Sequence, residues 1–236
     1  MKVLYKRELY SFFVTGTGYV FLFVYMALSG IFFYFGNILT RFSDLSGYYS
    51  MATYIWILLI PILTMRLTTE DKKNGTYKLL LSSAISVHKI ILAKYFAALS
   101  VIGIGLLLST IFPIIVAVYG ALYVPETLLA YIGMFLYGAA YLAFDMFISS
   151  FAKGNTSAFM LALGANLLLR VIGLAAESAS SGLIKGILSL LDTEKRFTPF
   201  LYGQLSFACI IYFLLFILIN ILLTAEINST DGGYRA

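Results

Sequence analysis

The chain is short of nearly everything from which a soluble enzyme is built. Charged residues fill 11% of its 236 positions, against about 25% in an average soluble domain, so most of its surface cannot face water. Its one cysteine, Cys209, excludes an internal disulfide and a cysteine-ligated metal cluster. His88 is the sole histidine; a metal site would need further ligands, which the chain does not cluster, and its place beside a polar segment reads as surface. No G-x-x-x-x-G-K-[ST] loop occurs, nor H-E-x-x-H, nor G-x-S-x-G. The first absence removes the usual cradle for ATP phosphates, and the others remove common zinc-peptidase and serine-hydrolase signatures. No catalytic residue, metal ligand or cofactor is therefore assigned to this chain.

What fills the space is apolar: 61% of residues are hydrophobic and mean hydropathy is +0.94. Such a composition belongs to an integral membrane protein, whose length is best divided into spans of about 20 residues. Six apolar blocks are legible, over residues 17–38, 49–65, 90–119, 127–150, 156–176 and 205–225. Each is long enough to cross a hydrocarbon layer of roughly 30 Å. The first exceeds the apolar core of a signal peptide, and no small-residue cleavage site follows it. The expected fold is an all-α polytopic membrane protein with six transmembrane helices, forming one transmembrane domain over residues 1–236.

The net charge of +5 could point to an anionic partner, but in a membrane protein excess Lys and Arg mainly encode orientation, and no nucleic-acid partner is expected. Lys2, Lys6, Arg7, Arg66, Lys72, Lys73, Lys78, Lys89, Lys94, Lys153 and Arg235 fall on one side of a six-span path. Arg41, Lys185, Lys195 and Arg196 fall on the other, with Arg170 inside a span. This bias predicts a multi-pass protein of the cell (inner or plasma) membrane with cytoplasmic N and C termini. Residues 66–89 then lie inside and residues 177–204 outside.

The opening MKVLYKRELYSFF is too polar to span. Leu4, Tyr5, Leu9, Phe12 and Phe13 recur near helical spacing while Lys2, Lys6, Arg7 and Glu8 are polar, which suits an interfacial helix over residues 1–14 in contact with membrane lipid. It reads either as a positively charged topology anchor or as a specific elbow. Between the second and third blocks, Asn74-Gly75 is a turn signal, Thr76 is a candidate cap for a short helix carrying Leu79, Leu80 and Leu81, and Ser86 is placed to cap the third span. Glu70, Asp71, Lys72, Lys73 and Lys78 surround that apolar ridge. The pattern suits a helix docking in a partner's groove with charges at the rim, and equally an amphipathic loop lying on lipid.

GYVFLFVYMALSGIFFYF, LIPILTMRLTTEDKKNGTYKLLLSSAIS and VHKIILAKYFAA together resemble the permease subunits of type-2 ABC exporters, most closely the gliding-motility and nitrous-oxide-maturation branch. Glu70, Lys72, Lys73, Gly75, Thr76, Leu79, Leu80, Ser86 and Lys94 fit that family's pattern, while Lys78 stands where Glu is usual and Ala84 where Pro is usual. SSFAKGNTSAF is a weaker match to the family's turn between spans four and five. The resemblance implies an N-terminal elbow helix, a cytoplasmic coupling helix between spans two and three, and short re-entrant helices before span six, with which residues 180–192 are compatible. It also implies two ABC ATPase subunits, which bind the ATP and Mg, and a second permease protomer, identical or homologous. Glu70, Lys72, Lys73, Gly75, Thr76, Leu79 and Leu80 would then carry the coupling. A membrane-embedded lipid-modifying enzyme and a self-sufficient secondary transporter are the competing classes. The first lacks a polar constellation at either interface, and the second lacks an internal repeat.

Two ionisable residues lie inside spans. Asp145 falls about five residues from the inner end of the fourth block, and Arg170 some two-thirds of the way up the fifth. At about 1.5 Å per residue their depths differ by roughly 15 Å, which argues against a direct pair. Asp145 reads as a carboxylate reaching inner headgroups or as a path-lining group, and Arg170 as a side chain snorkelling outward or as a path-lining group. Most tyrosines and phenylalanines are too scattered for interfacial belts and are expected to pack between helices. Gly16, Gly18, Gly103, Gly105, Gly133 and Gly138 offer close approaches, and Pro61 and Pro113 offer kinks.

Overall fold

A computed structural model describes residues 1–73, 86–120, 122–178, 188 and 192–233. The described residues form no strand, and they contain six helical stretches long and apolar enough to cross a membrane. In hydrocarbon each backbone N–H and C=O needs a partner within the protein, and a helix supplies one locally. The chain is thus an all-α polytopic membrane protein.

Helix α1 (Lys2–Val14) precedes the first span and packs on the third and first spans. Leu4 joins Ile90 and Ala93, Phe12 enters the main core, and the Tyr5 hydroxyl lies 2.8 Å from Ser100 Oγ. The chain turns from α1 into α2 (Thr17–Phe33) at Gly16, whose φ of +79° lies in the left-handed region where a side chain is strained. This corner makes α1 an elbow packed onto the bundle, which a bare charge anchor would not need to be. The first span closes with a π-helical turn, Tyr34–Ile38. There buried Asn37 donates to the carbonyls of Phe42 (2.9 Å) and Asp44 (2.7 Å), folding the link back into α3 (Ser46–Lys73).

α3 runs past the apolar block to Lys73. Glu70, Lys72 and Lys73, expected in a segment between helices, therefore belong to a helical extension of the second span. Gly75, Thr76, Leu79 and Leu80, and with them the expected coupling helix, lie outside the described residues. Ser86 occupies the N-cap position of α4 (Val87–Ser109), as its residue type predicts, but its side chain makes no capping bond. The third span continues as α5 (Ile111–Tyr119) after a break at Thr110. Pro113 explains the break, since it has no N–H for the Ser109 carbonyl; Thr110 N–H turns instead to Leu107 O at 3.3 Å.

The fourth span, α6 (Val124–Ser150), is the centre of the bundle and packs against α3, α4, the fifth span α7 (Asn155–Ser178), the short helix α8 (Thr193–Leu201) and the last span α9 (Phe207–Gly233). Without a hydrophobic drive between helices in lipid, association rests on tight packing. Trp56, fully buried, stacks on Tyr25 with centroids 4.7 Å apart. Tyr137 gathers Tyr141, Phe197 and Phe213 at 4.6, 5.5 and 6.4 Å; such pairs contribute about 0.5–1.5 kcal/mol each beyond burial. At Gly133 a Cβ would stand 2.6 Å from Phe200 Cβ, so α8 reaches α6 only because that position is bare.

α8 runs beside α6 from Thr193, whose Oγ1 is 3.1 Å from the Tyr141 hydroxyl, to Phe200 at Gly133. Tyr141 is 17 residues into α6, so the start of α8 sits about 25 Å along that helix. A short helix does dip beside the last span, over 193–201. The segment 180–192 expected to form it lies almost wholly outside the described residues. In their most apolar stretches α3 is 67% buried, whereas α7 and α9 are each 22% buried, leaving broad apolar faces on those two spans.

Candidate functional site

Among the described residues, charged side chains inside the bundle are held at three of its levels. The first is at the end that carries α1. Arg66, at the foot of the second span, is buried; its guanidinium donates to Ser11 Oγ (3.0 Å), Ser11 O (3.3 Å) and Thr17 Oγ1 (2.9 Å). Lys94, also buried, donates to the Leu67 carbonyl. Arg66 thus ties the elbow to the second span, and Lys94 ties the second span to the third. The two stems that bound residues 74–85 are joined by Lys94, and Arg66 adds the elbow to the first of them. His88 is exposed on the first turn of α4, as a surface histidine should be.

The second level is the middle of the bundle. Asp145 is fully buried, and its Oδ2 accepts from Asn166 Nδ2 at 3.2 Å. The reading of Asp145 as a carboxylate reaching headgroups is therefore corrected: α3, α7 and the body of α6 enclose it. The same Asn166 nitrogen donates at 3.3 Å to the carbonyl of Ile57. That carbonyl is free because its helical partner would be the N–H of residue 61, and residue 61 is Pro. Pro61 therefore acts through a carbonyl it releases, and the carbonyl is answered from the fifth span.

The third level surrounds Arg170. Its guanidinium pairs with Glu194 on α8, donates to the Tyr54 hydroxyl and lies 4.5 Å from the Tyr54 ring centroid. These partners hold the side chain against α3 and α8. Asp145 and Arg170 do not pair, as expected, and each has its own partner. Arg170 borders a cleft of about 670 Å³ between α7 and α8, also lined by Asp192, Glu194 and Lys195. Asp192 is buried and caps α8, accepting from Lys195 N–H at 3.0 Å. Both charge signs thus meet at one opening.

Glu194, Asn166 and Tyr54 were not singled out by sequence. Glu194 is a charge in a segment rich in charges, and Asn166 is a neutral amide in an apolar run. Only the released Ile57 carbonyl, predictable from Pro61, signalled that a donor must face α3. Among the described residues no group of three or more His, Cys, Asp or Glu side chains forms a metal cage. No family model matches the chain, and a search of curated proteins gives no match either.

Proposed function

We propose that the chain is the membrane-spanning permease subunit of a type-2 ABC exporter, coupling ATP hydrolysis by a separate ATPase subunit to export of a substrate. Two ATPase subunits and a second permease protomer complete the assembly, which sits in the cell membrane with both termini cytoplasmic. The observation that carries this reading is the clamp around residues 74–85. Lys94, one of the residues that fit the family pattern, holds Leu67 of the opposite stem, while Arg66 ties that stem to the elbow. A push on the segment between the stems is then delivered to α1, α3 and α4 together.

The remaining features fit this role. The Lys and Arg bias puts residues 66–89 on the cytoplasmic side, where an ATPase resides. The chain has no phosphate loop of its own. The apolar faces of α7 and α9 suit lipid and a second protomer. The charged cleft beside Arg170 lies on the side opposite the clamp and is a candidate stretch of the path.

Reconstitution tests the reading. The chain purified alone should neither bind nor hydrolyse ATP, and turnover should arise only when an ABC ATPase subunit is added. ATP hydrolysis by the rigorously purified single chain would overturn the assignment.

A further inference from the structure

We propose that Asp145, with Asn166 and Ser149, forms a buried site for one small monovalent cation, a proton or a sodium ion, at the junction of α3, α6 and α7. This goes beyond the permease assignment and does not depend on it.

Asp145, Ser149 and Asn166 are each fully buried. Asn166 Nδ2 carries two hydrogens, and its two acceptors are Ile57 O at 3.3 Å and Asp145 Oδ2 at 3.2 Å. Both acceptors are oxygens, so the amide is fixed with its nitrogen towards them. Asp145 Oδ1, Asn166 Oδ1 and Ser149 Oγ are left with no hydrogen-bond partner. Ser149 is one turn from Asp145 on the same face of α6, so the three oxygens belong to one neighbourhood.

Among the described residues no ion pair joins the carboxylate to a protein cation. From α7 the nearest charge is Arg170, one turn beyond Asn166, and it is held by Glu194 and Tyr54. On α3, Arg66 is bound to Ser11 and Thr17, and on α4, Lys94 is bound to Leu67 O. α8 brings Glu194, Lys195 and Arg196, the last over the Tyr212 ring at 5.2 Å. α9 brings the acid Glu226 and the phenol of Tyr212, and on α6 itself Tyr141 is directed to Thr193. An isolated carboxylate in such surroundings is very costly. A mobile cation settled among three uncommitted oxygens supplies both the missing charge and the missing contacts. A proton does this on Asp145 itself, and sodium does it by direct coordination.

The test uses the full chain in lipid nanodiscs. Infrared difference spectra at a pH well above the ordinary carboxyl range of about 4 report a protonated carboxyl group, and equilibrium binding of radiolabelled sodium at alkaline pH reports the ion. A carboxyl band that Asp145→Asn removes identifies the proton. Saturable, stoichiometric sodium binding that Asp145→Asn abolishes identifies sodium. Asp145→Asn is close to isosteric and should assemble normally. Asn166→Ala gives an independent check, since loss of the amide should shift the band or weaken sodium binding. A wild-type chain showing neither signal overturns the proposal without reference to any variant, as does a signal that persists in Asp145→Asn.

Discussion

Arg170 illustrates what a residue's type and depth convey and what they do not. A charge within an apolar block was legible as costly, and hence as partnered, but its partner was not, because Glu194 comes back to it from another element after the chain has left the span. For Asp145 the headgroup reading, one of the two that the sequence left open, rested on distances counted from helix ends. The contact with Asn166, one turn from Arg170, shows that the ends of α6 and α7 are a poor common ruler. The Arg170–Glu194 pair predicts strong coupling. Removing one partner leaves a largely buried charge, so Arg170→Met and Glu194→Gln should each destabilise the chain by about 1–3 kcal/mol, while the double variant should cost clearly less than their sum. Thermal unfolding of the four proteins in one detergent measures this, and simple additivity would show that the pair is not an energetic unit.

Helices were easier to count than to delimit. Hydropathy marks the part of a helix that lies in hydrocarbon, so the six spans could be found, but the extension of α3 through Glu70 to Lys73 could not. The break at Thr110 follows from Pro113 and was open to inference. The position of α8 was less so, because its hold on the bundle depends on bare backbone at Gly133, one of several glycines that looked alike in sequence. The structure separates them. A Cβ at Gly133 would meet Phe200 Cβ at 2.6 Å, whereas at Gly138 it would meet Ile102 at an ordinary 3.4 Å. Gly133→Ala should therefore lower stability by about 1–3 kcal/mol through overpacking, and Gly138→Ala on the same helix should cost far less. Equal melting temperatures for the two variants would mean that α8 is not seated on α6 as described.

For the molecule as a whole, the membrane class was legible from composition, and orientation rests on the distribution of Lys and Arg. Cysteines placed singly at Lys73 and Lys195, in a Cys209→Ser background, should be labelled by impermeant reagents from opposite faces of the membrane; labelling of both from one face would remove the six-span topology. The segment between the clamped stems carries the proposed coupling. Leu79→Asp and Leu80→Asp together would place unpaired carboxylates in the proposed apolar contact with the ATPase, which is strongly unfavourable, while leaving the spans intact. The direct measurement is stoichiometric recovery of an ABC ATPase subunit with the tagged chain purified from its native membranes, wild type against the double Asp variant. The account predicts that the wild type retains the ATPase and the variant, inserted at normal levels, loses it. A wild-type chain recovered without any ATPase, or a variant that keeps it undiminished, would contradict the account.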